Sequence, residues 1–231
     1  MGAQWKQKGR EANAAAKGKL LSKAAKEVLI AAKTGADPST NAKLRLAIEY
    51  AKKVNMTRDT LDRLIKKGSG QLDEQVTYEL VTYEGFGPGR VPVVVECLTD
   101  NRTRTAANVR GHFREYQLAA TGAVTWDFSR LGAIGAKAPG EADAEAAAIE
   151  AGAQDFEKND DGTVTFYTDA QDLDAVRKAL ETAAWNVESA ALVWKAKNPV
   201  AVPPELQGEL DEFLAELDED DDVQTLFVGV K

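Results

Sequence analysis

Apolar positions recur first with the period of a helix and then with that of a strand. From Leu20 onward, Leu21, Ala24, Ala25, Val28, Leu29 and Ala32 fall on one helical face, with Lys19, Lys23, Lys26 and Lys33 largely off it. Gly35 and the turn "DPSTN" close that segment. A second helix is predicted near 41–54, burying Leu44, Ala47, Ile48 and Ala51. A third lies in "NMTRDTLDRLIKKGSG", with Thr57 as N-cap and Asp59 in the first turn. Its stripe is Leu61, Leu64 and Ile65, Lys66 and Lys67 suit the last turn, and Gly68 is the expected stop. Three short amphipathic helices make a small α-domain. Residues 1–19 carry cations and small residues with few apolar side chains apart from Trp5, and are expected to be a mobile basic head.

After "GSGQLDEQ" the period becomes two. "VTYELVTYEGF" and "VPVVVECL" read as a hairpin closed by "GPGR". "TRTAANVRGHFREY" reads as a helix with Ala106, Val109 and Phe113 on one face, and "GAVTWDFS" as a third strand, giving a ββαβ unit. From Gly140 the order is helix, strand, strand, helix, strand, with "DDG" as a hairpin signal. That order fits a ferredoxin-like layer whose missing strand falls near Gly132–Ala136. "NPVAVPPEL" is a linker, since three prolines resist regular structure. A helix, "PELQGELDEFLAELDED", and a lone strand, "VQTLFVGV", follow. A lone strand must join a sheet, and the middle domain is where it is expected. The predicted fold class is α+β in three domains: an N-terminal three-helix domain and two α/β layer domains, the last ferredoxin-like. The expected boundaries are 1–19 for the head, 20–72 for the helical domain, 73–130 plus 200–231 for a discontinuous α/β domain, and 131–199 for the ferredoxin-like one.

With 231 residues, 44% of them hydrophobic, the chain can build real cores. Its longest apolar runs fall far short of a membrane span. No apolar stretch follows the N-terminal cations, so no secretory signal is expected, and a cytoplasmic location is. The single cysteine, Cys97, lies in a predicted strand and reads as a buried thiol. A catalytic thiol needs a histidine partner, and His112 is the only histidine.

The net charge of −8 conceals a segregation. Residues 1–70 hold 16 Lys and Arg against 6 Asp and Glu, whereas residues 131–231 hold 7 against 23. A basic front end points to a polyanionic partner, and the acidic remainder would orient the protein on it. Three groups carry a nucleic-acid reading. The head offers Trp5, Lys6, Lys8, Arg10, Lys17 and Lys19, cations for phosphates and a ring for an unpaired base; the bland reading is a solubilising tail. The helical domain offers Lys23, Lys26, Lys33, Lys43, Arg45, Lys52, Lys53, Arg58, Arg63, Lys66 and Lys67, each alone an ordinary solvated cation. Its third helix is the nearest candidate for a recognition helix, but Asp59 and Asp62 would meet phosphates badly, which favours structured RNA over a DNA operator.

The third group sits in "LTDNRTRTAANVR", where a buried strand gives way to a helix through more polar residues than a turn needs. Asp100 and Asn101 can make turn and cap bonds to backbone N–H groups, and Thr103 or Thr105 can cap the helix. Arg102 and Arg104 are left at a helix N-terminus, where the dipole suits an anion and not a cation. They read either as an anion site or as ion pairs with Glu84 or Glu96. "DEDDD" (Asp218–Asp222) reads as a solvated acidic face in preference to a calcium loop, since it lacks the glycine-turned ligand pattern. "YEGFGPG" is a tight hairpin and not a phosphate loop, with Phe86 and Pro88 expected at the surface. One histidine and one cysteine make no zinc site, no nucleophile–base pair is visible, and no cofactor is expected.

The stretches "KLRLAIEYAKKVNMTRDTLDRLIKKGSG", "YEGFGPG", "CLTDNRTRTAANVRGHF", "TGAVTWDF", "EAGAQDFE" and "DDVQTLF" together resemble the YebC/PmpR family, which includes the mitochondrial translational activator of cytochrome c oxidase. The opening "GAQWKQKGRE" departs from the family's pattern by an early histidine and a lysine, and "EYQLAATGA" is shorter and lacks its paired glycines. The resemblance implies three domains, a C-terminal tail that rejoins the middle domain, and no enzymatic activity. It implies a nucleic-acid-binding regulator: a ribosome-associated translation factor that binds ribosomal RNA and aids slow peptide-bond formation, or alternatively a DNA-binding transcriptional regulator. The expected partner is accordingly the ribosome, with DNA as the alternative and no membrane. No dimer helix is apparent, so a monomer is expected.

Overall fold

The computed structural model of the protein describes residues 4–72 and 78–231, with side chains from Lys17 onward. The chain divides into two compact units, one formed by residues 1–81, 96–107 and 219–224, the other by 82–95, 108–218 and 225–231.

The first unit is built on three helices, α1 (Gln4–Ala32), α2 (Ala42–Lys53) and α3 (Arg58–Gly68). Helix α1 begins at Gln4, well before the expected Leu20, through a segment rich in alanine, the strongest helix former. Ala24, Val28, Leu29, Ala31 and Ala32 of α1 bury against Leu44, Ala47, Ile48 and Ala51 of α2 and Leu61 and Leu64 of α3. These are the faces the 3.6-residue period picks out. Asn41 caps α2 by accepting the Leu44 N–H at 3.0 Å, and its amide donates to the Ala31 and Gly35 carbonyls at 2.7 and 2.8 Å. One side chain thereby fixes the angle between two helices.

Gly68 has a role other than the predicted stop. A Cβ there would collide with the Leu29 carbonyl and lie 2.8 Å from Ala32 Cβ, so the residue is small to let α3 cross α1 closely. The left-handed residue that ends the segment is Gly70, at φ 76°, with Gln71 N–H closing on the Lys66 carbonyl at 2.9 Å.

The following elements are β1 (Glu79–Phe86), β2 (Pro92–Thr99), α4 (Arg102–His112), β3 (Gln117–Leu118), β4 (Phe128–Lys137), α5 (Ala144–Ala151), β5 (Asp155–Lys158), β6 (Thr163–Asp169), α6 (Leu173–Thr182), β7 (Asn186–Ala196), α7 (Pro204–Glu219) and β8 (Val223–Val228). One sheet has the order β3-β1-β2-β8, so the C-terminal strand lies beside β2. Residues 76 and 77 of the first predicted strand lie outside the described residues. The predicted third strand "GAVTWDFS" is not a strand over most of its length. Residues 121–127 form turns ending in a single 3-10 turn, Thr125–Asp127. The physical reason is Glu84. Its buried carboxylate accepts the N–H groups of Gly122, Val124 and Thr125 at 2.7–2.8 Å, and N–H groups held this way cannot join a ladder.

The second unit contains a sheet of order β5-β6-β4-β7, antiparallel throughout. With α5 and α6 this is the βαββαβ ferredoxin-like arrangement. The missing strand is β4, which runs unbroken through the glycine- and alanine-rich stretch around Gly132–Ala136. Gly132 and Gly135 leave no room for a Cβ beside Thr168 and Ser189, so small residues pack this strand closely. Phe166 anchors the layer, its ring edge-to-face with Trp185 at 5.0 Å.

The hairpin glycines are equally steric. A Cβ on Gly85 would enter the Phe113 ring, and one on Gly87 would lie 2.8 Å from Phe213. Pro88, expected at the surface, is buried, while Phe86 is half-buried beneath the Arg90 guanidinium at 5.2 Å.

Candidate nucleic-acid interface

Helices α2 and α3 are joined by four residues, 54–57, with Asn55 in the left-handed region at φ 62°. Thr57 caps α3 toward the Thr60 N–H, as its sequence position predicts. Two helices linked by a turn this short form a helix–turn–helix arrangement. Lys52 and Lys53 end α2 and Arg58 opens α3, so three exposed cations bracket the turn. Arg58 is 92% exposed and only loosely paired with Asp62 at 3.9 Å. Along α3, Asp59, Asp62, Arg63 and Lys66 are all exposed and share the outward face, which is therefore mixed in sign. Among the described residues, Lys52, Lys53, Arg63 and Lys66 have no side-chain hydrogen bond or ion pair. Lys67 is half-buried and partnered.

Of the head, Lys17 is exposed and Lys19 is half-buried and engaged; Lys23 of the helical domain is likewise half-buried and engaged. Trp5, Lys6, Lys8 and Arg10 lie on the α1 backbone, but their side chains fall outside the described residues. Several helical-domain cations are structural. Lys33 donates to the Tyr78 carbonyl at 2.6 Å and Arg45 to the Pro38 carbonyl at 3.1 Å. Lys26 points inward to the carbonyls of Leu98 and Asp221 and, at 3.4 Å, to the Asp222 carboxylate.

The two arginines in the first turn of α4 do not form a vacant anion site. Arg104 is paired with Asp222, its Nη2 2.8 Å from Oδ2 and 3.0 Å from Oδ1, and with Asp100 at 3.0 Å. Arg102 is 66% exposed and lies 3.7 Å from Glu79. All three partners differ from the expected Glu84 and Glu96. The cap of α4 is Asn101, whose side chain accepts the Arg104 N–H at 3.1 Å. Thr105 does not cap; its hydroxyl donates to Asp222 Oδ2 at 2.9 Å and lies 3.1 Å from the Asn101 carbonyl.

Asp222, read from the sequence as part of a solvated acidic face, is 4% exposed. Burial pushes its carboxyl up, but hydrogen bonds from Arg104 and Thr105 and the charges of Lys26 and Arg104 outweigh that and hold it below the usual carboxylate range. Cys97 is fully buried nearby in sequence terms of β2, and burial, then the charges of Asp220 and Asp222, push its thiol up to about 12. A thiol of that kind is no nucleophile at neutral pH. His112 is half-buried and partnered. Among the described residues no cluster of His, Cys, Asp and Glu could hold a metal ion, and no helix is long and apolar enough to cross a membrane.

Residues 2–71 match the family model for the TACO1/YebC protein N-terminal domain, and residues 78–230 match that for the TACO1/YebC second and third domain. The chain belongs to the TACO1/YebC family. A "Probable transcriptional regulatory protein" of Pseudomonas fluorescens is 55% identical over 100% of this chain and 99% of its own length. Another of that description, from Polaromonas, is 50% identical with the same coverage. In structure the chain is similar to a conserved hypothetical protein from Aquifex aeolicus, with a TM-score of 0.83 and 37% identity over 93% of this chain and 90% of that one.

In this TACO1/YebC chain the residues that sequence reasoning missed are Asp222 and Glu84, both buried acids. A signal for Asp222 existed: if the strand after "DD" returns beside β2, the preceding acid arrives where Arg104 begins α4. Glu84 had none, because its partners are backbone N–H groups. Trp126 was missed as well: it falls inside the predicted strand "GAVTWDFS" and is 67% exposed.

Proposed function

We propose that the protein is a non-enzymatic, nucleic-acid-binding regulator of gene expression that grips its target through the helix–turn–helix region of α2 and α3. The observation that carries this is the set of exposed cations at the end of α2 and along the outward face of α3, Lys52, Lys53, Arg63 and Lys66, with no side-chain partners among the described residues. Cations left unpaired on a small rigid domain are available to displace the counterions of a phosphate backbone. The names of the relatives support DNA as the target and transcription as the process. The absence of a nucleophile–base pair in the sequence supports a binding role, exercised in the cytoplasm by a monomer.

A second reading keeps the same surface and changes the target to ribosomal RNA, with the protein assisting slow peptide-bond formation on the ribosome. Asp59 and Asp62 on the outward face of α3 favour it, since a helix laid in a major groove would bring both acids near phosphates.

A salt series with the intact protein, Lys52→Ala/Lys53→Ala and Arg63→Ala/Lys66→Ala tests both, using genomic duplex fragments in one arm and purified ribosomes in the other. Each double variant is expected to weaken binding and flatten the log–log salt slope by about 2 on duplex DNA. Tight, sequence-selective DNA binding at physiological salt supports the transcriptional reading, and ribosome binding without it supports the second. Variants that bind both targets like the intact protein overturn the interface.

A further inference from the structure

Trp126 is 67% exposed, yet the loop of the second unit that carries it is held by several hydrogen bonds. Its indole N–H donates to the Ala123 carbonyl at 3.0 Å, and its own carbonyl accepts the Lys197 ammonium at 2.7 Å. On one side the Thr125 N–H is held by Glu84 at 2.8 Å; on the other the Asp127 carbonyl accepts the Lys197 N–H at 2.8 Å. Lys197 is itself fixed, following directly on Ala196, which pairs with Phe128 across β4 and β7. Glu84 is 3% exposed, so a buried charge is committed to shaping a loop whose one large side chain faces solvent. The same loop seats Val124 in the core, but core packing does not account for the placement of the Trp126 ring. Preorganisation of a binding residue does.

The chemistry left to the ring is specific. With the N–H engaged, Trp126 offers π surface and no free donor. The neighbouring exposed Lys197 supplies a positive charge beside it. An aromatic face with an adjacent ammonium is the arrangement that stacks a nucleobase and meets the phosphate attached to it. We infer that Trp126, supported by Glu84 and flanked by Lys197, is a stacking platform for an unpaired nucleotide. The inference rests on the nucleic-acid reading above and adds a second contact of a different kind.

The unit's charge sharpens the expectation. It holds 22 Asp and Glu against 11 Lys and Arg, so long-range attraction does not draw a polyanion to it. Binding energy at Trp126 comes from stacking and is insensitive to salt, whereas the cations of α2 and α3 give a salt-dependent contribution.

Labelled oligouridine and oligoadenosine, titrated into the full-length protein over a salt series, test this. Trp126→Ala should weaken single-strand binding on the order of tenfold with an unchanged salt slope, and Trp126→Phe should retain most of the affinity. Ile149→Ala, which removes another exposed apolar side chain of the same unit, should bind as the intact protein does. Equal affinity of Trp126→Ala and the intact protein overturns the platform, even if the ring proves to serve a protein partner. Failure of the intact protein to bind any single strand overturns it as well. If the α2 and α3 variants bind normally while Trp126→Ala does not, only the helix–turn–helix interface is lost; the reverse pattern removes only the platform.

Discussion

Asp222 and Arg104 stand 118 positions apart and are joined through two oxygens, with Arg104 Nη2 at 2.8 and 3.0 Å from the carboxylate and Nε at 3.2 Å. The same carboxylate receives Lys26 from α1 at 3.4 Å and the Thr105 hydroxyl at 2.9 Å. One buried acid thus ties the segment before β8 to α1 and to the start of α4. Removing it leaves Lys26 without its carboxylate and Arg104 with Asp100 alone, beside a cavity. Asp222→Ala is expected to destabilise the protein by about 3 kcal/mol, read as a lowered urea midpoint. Asp222→Asn keeps the shape and loses the charge, so it should fall between. A larger loss for Asn than for Ala would show that charge pairing does not hold this junction.

The pH dependence follows from the same carboxyl. Folding holds Asp222 below its unfolded value, so the native state binds fewer protons than the unfolded chain in that window. Its stabilisation is complete above the unfolded carboxylate pKa of about 3.9 and is lost as pH falls through the depressed native value. Glu84 behaves alike: burial raises it, but the N–H groups of Gly122, Thr125 and Val124 win. Glu27 has the opposite sign. Burial raises it, outweighing its hydrogen bond from Gln224 and the charge of Lys23, so its contribution becomes more favourable as pH falls through the raised native value. Urea midpoints measured downward from neutral pH should therefore drop less steeply in Asp222→Asn than in the intact protein, and the acid-side gain should vanish in Glu27→Gln.

Glu84 makes a local prediction. Three backbone N–H groups converge on one carboxylate, and truncation leaves all three without a partner in a site that is 3% exposed. Glu84→Ala should cost about 2–4 kcal/mol. Glu84→Gln should be damaging too, because an amide nitrogen pointed at N–H groups donates where an acceptor is required. Amide hydrogen exchange at Gly122, Val124 and Thr125 should accelerate in both variants, ahead of any change in the β4–β7 ladder. Uniform acceleration across both regions would mean that the loop does not depend on Glu84 separately.

What the sequence disclosed follows the range of the forces involved. Periodicity is local, so the faces of α2 and α3 and the helix–strand order of the ferredoxin-like layer could be read directly. Thr57 and Asn101 were legible as caps for the same reason, since each bonds within three residues of itself. The partners of Arg104 and Glu84 were not. The Arg104–Asp222 pair depends on strand pairing between distant segments, and the expected acids, Glu84 and Glu96, proved to be the wrong ones, whereas Asp100 one turn before Arg104 is a second partner. The loop before β4 reads as a strand because Val124, Trp126 and Phe128 alternate with polar residues. That alternation is real, but Val124 and Phe128 enter the core with Val94 while Trp126 does not. Only a buried acid on β1, invisible to any period, makes the difference.

Three glycines separate steric need from conformational need in the helical domain. At Gly68 a Cβ would strike the Leu29 carbonyl and approach Ala32, both on α1, and backbone cannot step aside as a flexible side chain can. Gly68→Ala is expected to lose about 1–3 kcal/mol by forcing α3 off α1. At Gly70 nothing lies within 4 Å, but φ is 76°, so alanine there meets backbone strain of about 1 kcal/mol and no collision. Gly18 has neither restriction: it lies inside α1 with open space where a Cβ would go. Gly18→Ala should therefore stabilise by about 0.5–1 kcal/mol through helix propensity. The three midpoints measured in one urea series should fall in the order Gly18→Ala, Gly70→Ala, Gly68→Ala, with the intact protein between the first two. A Gly68→Ala variant as stable as the intact protein would show that α3 does not cross α1 at that closeness.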